Sequence, residues 1–134
     1  PGLTCVDIIP LLAYSVDLND FPTTYGFSGD DSQINNSTGF PIAYSWNTAV
    51  NGSSSVLINT IDNLRVDPFD PVTSTYWTGF EASTGAASSD NCGGWSSLTN
   101  GIVANKHQLD EKWIEIGTIP CDTGAYNFIC ICLT

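Results

Sequence analysis

Thr73-Ser74-Thr75-Tyr76-Trp77-Thr78-Gly79-Phe80 is the stretch on which the fold turns. Threonines and aromatics in succession, bounded by Pro71 and by the loop at Gly85, predict a β-strand. Downstream stands Asn91-Cys92-Gly93-Gly94-Trp95-Ser96-Ser97, followed by a polar loop. Lys112-Trp113-Ile114-Glu115-Ile116-Gly117 alternates with period two and predicts another strand. The last run, Ala125-Tyr126-Asn127-Phe128-Ile129-Cys130-Ile131-Cys132-Leu133, is nearly continuous in apolar residues. A strand apolar on both faces is expected at the centre of its sheet.

Upstream, Val56-Leu57-Ile58 is a short strand candidate, and Val66-Asp67-Pro68-Phe69-Asp70-Pro71 is a Pro/Asp connection. Pro10 suits the first turn of a helix and predicts one over Leu11 to Val16. Residues 20–41, rich in Gly, Asp, Asn and Ser, read as irregular loop with one short strand near Tyr25–Phe27. Ser45 to Gly52 predicts a second helix, with Ser45 as its cap and Gly52 as its stop. There is no internal repeat and no heptad pattern.

The 134 residues make one domain, 1–134. At 42% apolar and 11% aromatic the chain can bury a core, which excludes a disordered tail. No apolar run reaches the ~20 residues of a membrane-spanning helix, so no membrane insertion is expected. Fourteen acids against three Lys/Arg give a net charge of −11, which repels phosphate backbones and anionic glycans. Nucleic acid is therefore excluded as a partner. Ser, Thr, Asn and Gly replace the missing charge, the composition of a secreted or cell-surface β- and loop-rich domain. The chain begins at Pro1 and contains no Met; a processed mature form or an excised domain is expected.

Five cysteines, Cys5, Cys92, Cys121, Cys130 and Cys132, agree with export. Zinc would want paired C-x-x-C knuckles, and the sole close pair, Cys130 and Cys132, sits in an apolar run. A disulfide framework with one cysteine left over is the reading, and no zinc is expected. Catalysis has little to stand on. The single histidine, His107, lies in a polar stretch, and neither a Gly-x-Ser-x-Gly elbow nor a phosphate-binding glycine loop is present. Asp110, Glu111 and Glu115 are the carboxylates that could pair, but among fourteen acids such proximity arises by chance. The chain reads as a non-enzyme.

Calcium takes oxygen ligands from irregular loops, and three acid clusters qualify: Asp30 with Asp31, Asp67 with Asp70, and Asp110, Glu111 and Glu115. None has the spacing of a known calcium loop, so at most one weak calcium site is expected, made by the acids of the loop region or, as metal ligands, by Asp67 and Asp70. Trp46, Trp77 and Trp95 read as core anchors. Trp113, beside the densest polar group, either packs inward on Ile116 and the terminal strand or stacks on a ligand. Glycosylation sequons start at Asn35, Asn36 and Asn51.

Tyr76-Trp77-Thr78-Gly79-Phe80, Asn91-Cys92-Gly93-Gly94-Trp95-Ser96-Ser97, Cys121 and the terminal Phe128-Ile129-Cys130 together resemble the C-type lectin-like fold, in its endostatin-like and bacterial secreted surface-protein branch. In that branch a W-T-G strand precedes a C-x-x-W-[ST] segment, and a final cysteine pair brackets an apolar strand. Ile42-Ala43-Tyr44-Ser45-Trp46 is similar to the family's lead-in to its second helix. The resemblance covers residues 39–132, with residues 1–38 divergent. It implies an α+β fold of two small, mostly antiparallel sheets with two short helices and long loops, stabilised by disulfides. It also implies a Cys92–Cys121 bridge and a long-range bridge from Cys5 to Cys130 or Cys132, Cys130 being the family's position and Cys132 an addition. The calcium-dependent sugar signature of true C-type lectins is absent; where Trp-Asn-Asp would stand, this chain reads Trp113-Ile114-Glu115.

The resulting expectation is a non-catalytic extracellular binding or adhesion module. A rigid base presents loops, about residues 81–118, to an extracellular protein or a neutral or amino glycan. Trp113, Asp110, Glu111, Lys112 and Glu115 form the centre of the expected ligand-binding surface. The alternative is a structural subunit or tip of an extracellular fibre or surface assembly, a homo-oligomer such as a trimer, which few charges and a spare cysteine would suit.

Overall fold

Tyr76 and Trp77 are neighbours in an extended segment, so their side chains leave the strand on opposite faces. Each face meets its own apolar cluster: Tyr76 packs with Phe21, Trp46, Phe80 and Trp113, and Trp77 with Cys92 and Val103. This pair organises the molecule. The computed structural model describes residues 4–61, 75–123 and 126–134. It is an α+β fold of small antiparallel sheets, a few short helices and two disulfides.

In chain order the elements are β1 (Asp7–Pro10), α1 (Phe21–Tyr25), β2 (Ile34–Asn35), β3 (Pro41–Ala43), α2 (Trp46–Ala49), β4 (Thr75–Trp77), β5 (Asn100–Asn105), β6 (Gly117–Pro120) and β7 (Cys130–Leu133). Single 3-10 turns occupy Leu18–Asp20, Gly52–Ser54 and Glu111–Trp113. The resemblance implies two sheets; the described residues form three, ordered β1-β7, β2-β3 and β4-β5-β6. Every strand pair is antiparallel. A parallel bridge from Tyr76 to Asn127, with Trp77 N–H donating to the Asn127 carbonyl at 2.9 Å, ties the end of the chain to the central strand. Two residues on, the Ile129 carbonyl accepts from Leu11 N–H at 2.7 Å, which carries the chain into its pairing with β1.

The indoles tie the segment after β1 to two later parts of the chain. Trp46 Nε1–H donates to the Leu18 carbonyl at 2.7 Å, and Trp95 Nε1–H to the Ala13 carbonyl at 2.8 Å. Phe21 stacks on Trp46 with centroids 5.4 Å apart and meets Phe80 edge-on at 5.8 Å. Trp46 and Trp77 are buried as core anchors, and Trp95 is half-buried against Trp77.

The Cys-Gly-Gly-Trp segment has a specific backbone reason for its composition. Cys92, Gly93, Gly94 and Trp95 all have positive φ (52°, 61°, 72° and 64°), forming one left-handed helical turn. Each L-residue in that region costs about 1–2 kcal/mol, which the two glycines avoid and Cys92 and Trp95 do not. Asn91 Oδ1 accepts from Gly94 N–H at 2.9 Å at its start, the Cys92–Cys121 bond anchors one strained residue, and the indole hydrogen bond anchors the other. Gly101 faces this turn across the sheet: a Cβ there would sit 2.8 Å from both Cys92 Sγ and the Trp77 ring.

Several elements differ from the sequence reading. Leu11 to Val16 is not a helix. Leu11 and Ala13 donate backbone N–H groups to Ile129 and Thr78, and they are buried while Leu12 turns toward the second cluster, so the segment continues extended past Pro10. The helix comes later, where Leu18 and Phe21 are buried three residues apart, Pro22 stands in the first turn and Gly26 (φ 75°) closes it. Tyr25 ends that helix rather than opening a strand, and the strand of this region is β2. α2 follows the expected Ser45 cap, whose Oγ accepts from Thr48 N–H at 3.2 Å. Val56 to Ile58 forms no named strand, although Leu57 and Ile58 N–H groups bond to Leu109 and Ile42.

β5 lies in what reads as polar loop; Gly101, Ile102, Val103 and Ala104 are buried at the centre of the three-stranded sheet. The period-two strand over residues 112–117 is instead a 3-10 turn followed by β6, because adjacent Trp113 and Ile114 are both buried, which no half-exposed strand permits. β7 is not central: it pairs with β1 alone among the described residues. Thr73, Ser74, Ala125 and the 66–71 connection lie outside the described residues.

The bridges are Cys92–Cys121 and Cys5–Cys132. Of the two partners left open for Cys5, Cys132 forms the long-range bridge, and Cys130, the position the resemblance favours, is an exposed free thiol. The register explains the choice: Cys130 lies opposite Pro10, whereas Cys132 lies opposite Ile8, nearer to Cys5 along the strand.

Candidate functional site: the loop surface around Glu111 and Glu115

Asp110 opens the 3-10 turn by accepting Lys112 N–H on Oδ1 at 3.1 Å. The turn then sends successive side chains in different directions. Trp113 and Ile114 go inward, 5% and 1% exposed, while Lys112 is exposed and Glu111 and Glu115 are half-buried. The backbone beneath is held from the central strand: Tyr76 Oη–H donates to the Trp113 carbonyl, and Thr78 Oγ1–H to the Ile114 carbonyl at 2.7 Å. Glu115 Oε1 accepts from Ala82 N–H at 3.0 Å, fastening the turn to the neighbouring loop.

These contacts frame a shallow depression of about 410 Å³, lined by Ala82, Ser83, Glu111, Lys112, Glu115, Ile116 and Gly117. Of the expected ligand-binding residues, Glu111, Lys112 and Glu115 come together there. Asp110 does not line it; its carboxylate is spent on the turn. Trp113 does not line it either; of its two readings, stacking on a ligand or packing inward, the ring takes the inward one. Its indole is in the core, with Nε1–H donating to the Ala49 carbonyl at 3.0 Å. Ala82 and Ser83 belong to the site without having been singled out by residue type; their position inside the loop span 81–118 was the available signal. The exposed Ile116 supplies an apolar rim.

The chemistry is two carboxylates and one ammonium around an open depression. No Ser, Cys or His nucleophile–base pair stands there, and His107 is not among the lining residues. Among the described residues no group of three or more His, Cys, Asp or Glu side chains could hold a metal ion. Asp67 and Asp70, the calcium candidates, lie outside the described residues. Asp30 and Asp31 are engaged locally, accepting from Asn47 Nδ2 and Ser28 Oγ. Asn35 and Asn51 are exposed, whereas Asn36 is buried with its Oδ1 accepting from Thr38 and Phe40 N–H. No helix of the described residues is long and apolar enough to cross a membrane.

Tyr76, under this site, makes an alkaline signature. Full burial pushes its phenol well above the ordinary value of about 10, because the phenolate cannot be solvated. The folded state then holds a proton that the unfolded chain releases, so stability is intact below pH 10 and falls above it by about 1.4 kcal/mol per pH unit from this group. Urea titrations between pH 9 and 11, which span the onset of the fall, should show a loss of about 1.4 kcal/mol in all. Tyr76→Phe, less stable at neutral pH for want of the hydrogen bond to Trp113, should lack it; an equal slope in the variant would assign the loss to another group.

No described protein family, no curated protein and no solved structure matches the chain.

Proposed function

We propose that the chain is a non-catalytic extracellular binding module of the C-type lectin-like kind, whose ligand contacts Glu111, Lys112, Glu115 and Ile116 in the depression beside Ala82 and Ser83. The observation that carries this reading is the way the depression is built. Its polar groups stand on a turn clamped from below by Tyr76 and Thr78 and from the side by the Glu115–Ala82 hydrogen bond. A fixed backbone with the Glu115 carboxylate already held lowers the ordering cost of binding. Two carboxylates and an aliphatic rim suit an amino sugar or a basic peptide segment, hydrogen-bonding hydroxyls or an ammonium while Ile116 covers an apolar face. Two disulfides support residence in an oxidising, extracellular compartment.

The test is an array of neutral and amino glycans together with basic peptides, read with the native chain and with Glu111→Gln. Hits that weaken by about tenfold in the variant, the size of one charge-assisted hydrogen bond, with an unchanged melting temperature, support the site. Hits that the variant retains place the ligand elsewhere. An array with no hits removes the proposed ligand classes.

A further inference from the structure

The register of β1 on β7 sorts their side chains into two faces. Ile9, Ile131 and Leu133 pack on the core, and Pro10 and Cys130, with Ile8 and Cys132, face outward. The outward face is apolar and uncovered among the described residues: Val6 is 84% exposed, Ile8 61% and Phe128 51%, and Cys130 is an exposed thiol among them. Its strands carry one charged residue, Asp7, and the register places Asp7 opposite Leu133, off this face.

We propose that this face docks a second copy of the chain, and that the two Cys130 thiols close the contact as an intermolecular disulfide. Three observations select a second copy as the occupant. At a net charge of −11 two copies repel one another over most of their surface, and among the described residues the β1–β7 strands place no acid on this face. A two-fold axis through the face sets each residue against its own symmetry mate or a neighbour, so Cys130 near the axis meets Cys130. The other four cysteines are oxidised, so an exposed thiol exists here in surroundings where disulfides form, and the β1–β7 register keeps it from Cys5. The apolar side chains cover roughly a few hundred Å², below the ~800 Å² per partner of a stable non-covalent interface, so the covalent bond is what holds the pair.

The chemistry is thiol–disulfide exchange with a low-molecular-weight disulfide as oxidant. The Cys130 thiolate of one copy attacks that disulfide, forming a mixed disulfide and releasing one small thiol. The Cys130 thiolate of the second copy attacks the protein sulfur of the mixed disulfide and releases the other. Two protein thiols are oxidised to one bond, and one small disulfide is reduced to two thiols.

The experiment is incubation of the full chain in a buffer of oxidised and reduced glutathione, read by light scattering and intact mass. A species of twice 14.3 kDa that a mild reductant returns to monomer, and that Cys130→Ser abolishes without changing the circular dichroism, is the expected result. Ile8→Glu, which keeps the thiol but sets like charges across the axis, should slow dimer formation by about tenfold or more. A monomer with one free thiol, a monomer capped by glutathione, or a peptide map with Cys5 bound to Cys130 would overturn the proposal. So would an Ile8→Glu chain that dimerises as fast as the native one, since the thiol alone would then account for the bond.

Discussion

Trp113→Ala should lower the unfolding free energy by about 3–5 kcal/mol, the range for emptying a buried tryptophan site. For a chain of this size that moves the thermal midpoint by about 10–20 °C. The indole is 5% exposed and belongs to the cluster of Tyr76, Trp46 and Phe80, so its removal leaves a cavity that three sheets and two turns cannot collapse together. It also leaves the Ala49 carbonyl without its indole donor at the end of α2. Trp113→Phe separates the two terms: it keeps much of the ring volume and loses the hydrogen bond, and should cost about 1–3 kcal/mol. Thermal and urea unfolding of both variants check the order. A melting temperature that hardly moves in Trp113→Ala, with binding to an identified ligand lost, would return the ring to the binding surface.

The same residue illustrates how far the sequence can be read. Trp113 and its polar neighbours are visible as a cluster, and Glu111, Lys112 and Glu115 do come together. Which way the ring points depends on a 3-10 turn that buries two adjacent residues, and an alternating pattern predicts the opposite. Local chemistry was legible where it is self-sufficient: the Ser45 hydroxyl caps α2 with an atom three residues away. It failed where a distant partner decides. Leu11 and Ala13 are extended because Ile129 and Thr78 offer carbonyls to them, and β5 is a strand because β4 and β6 flank it. Cys130 and Cys132, two residues apart, are interchangeable until the register with β1 is known.

Replacing Cys5 and Cys132 together by alanine should destabilise the chain more than replacing Cys92 and Cys121. The outer bridge closes 127 residues, worth about 4.9 kcal/mol of chain entropy, or about 4.7 with the inner loop already closed. It also clamps β1 to β7, a two-stranded sheet that is marginal without support. The inner bridge closes 29 residues, worth about 3.6 kcal/mol. Its loss has a compensation that the outer bridge lacks. Cys92 and Trp95 are held in left-handed backbone at about 1–2 kcal/mol each, and once Cys92 is freed from Cys121 the turn can relax and return part of that energy. The net cost of losing the inner bridge should therefore fall below 3.6 kcal/mol, and the gap between the two variants should exceed the ~1 kcal/mol that loop length alone predicts. Urea unfolding of both double variants at neutral pH measures the gap. The reverse order would mean that Asn91 and the Trp95 indole hold the turn without the bridge, and that native contacts around Cys92 outweigh chain entropy.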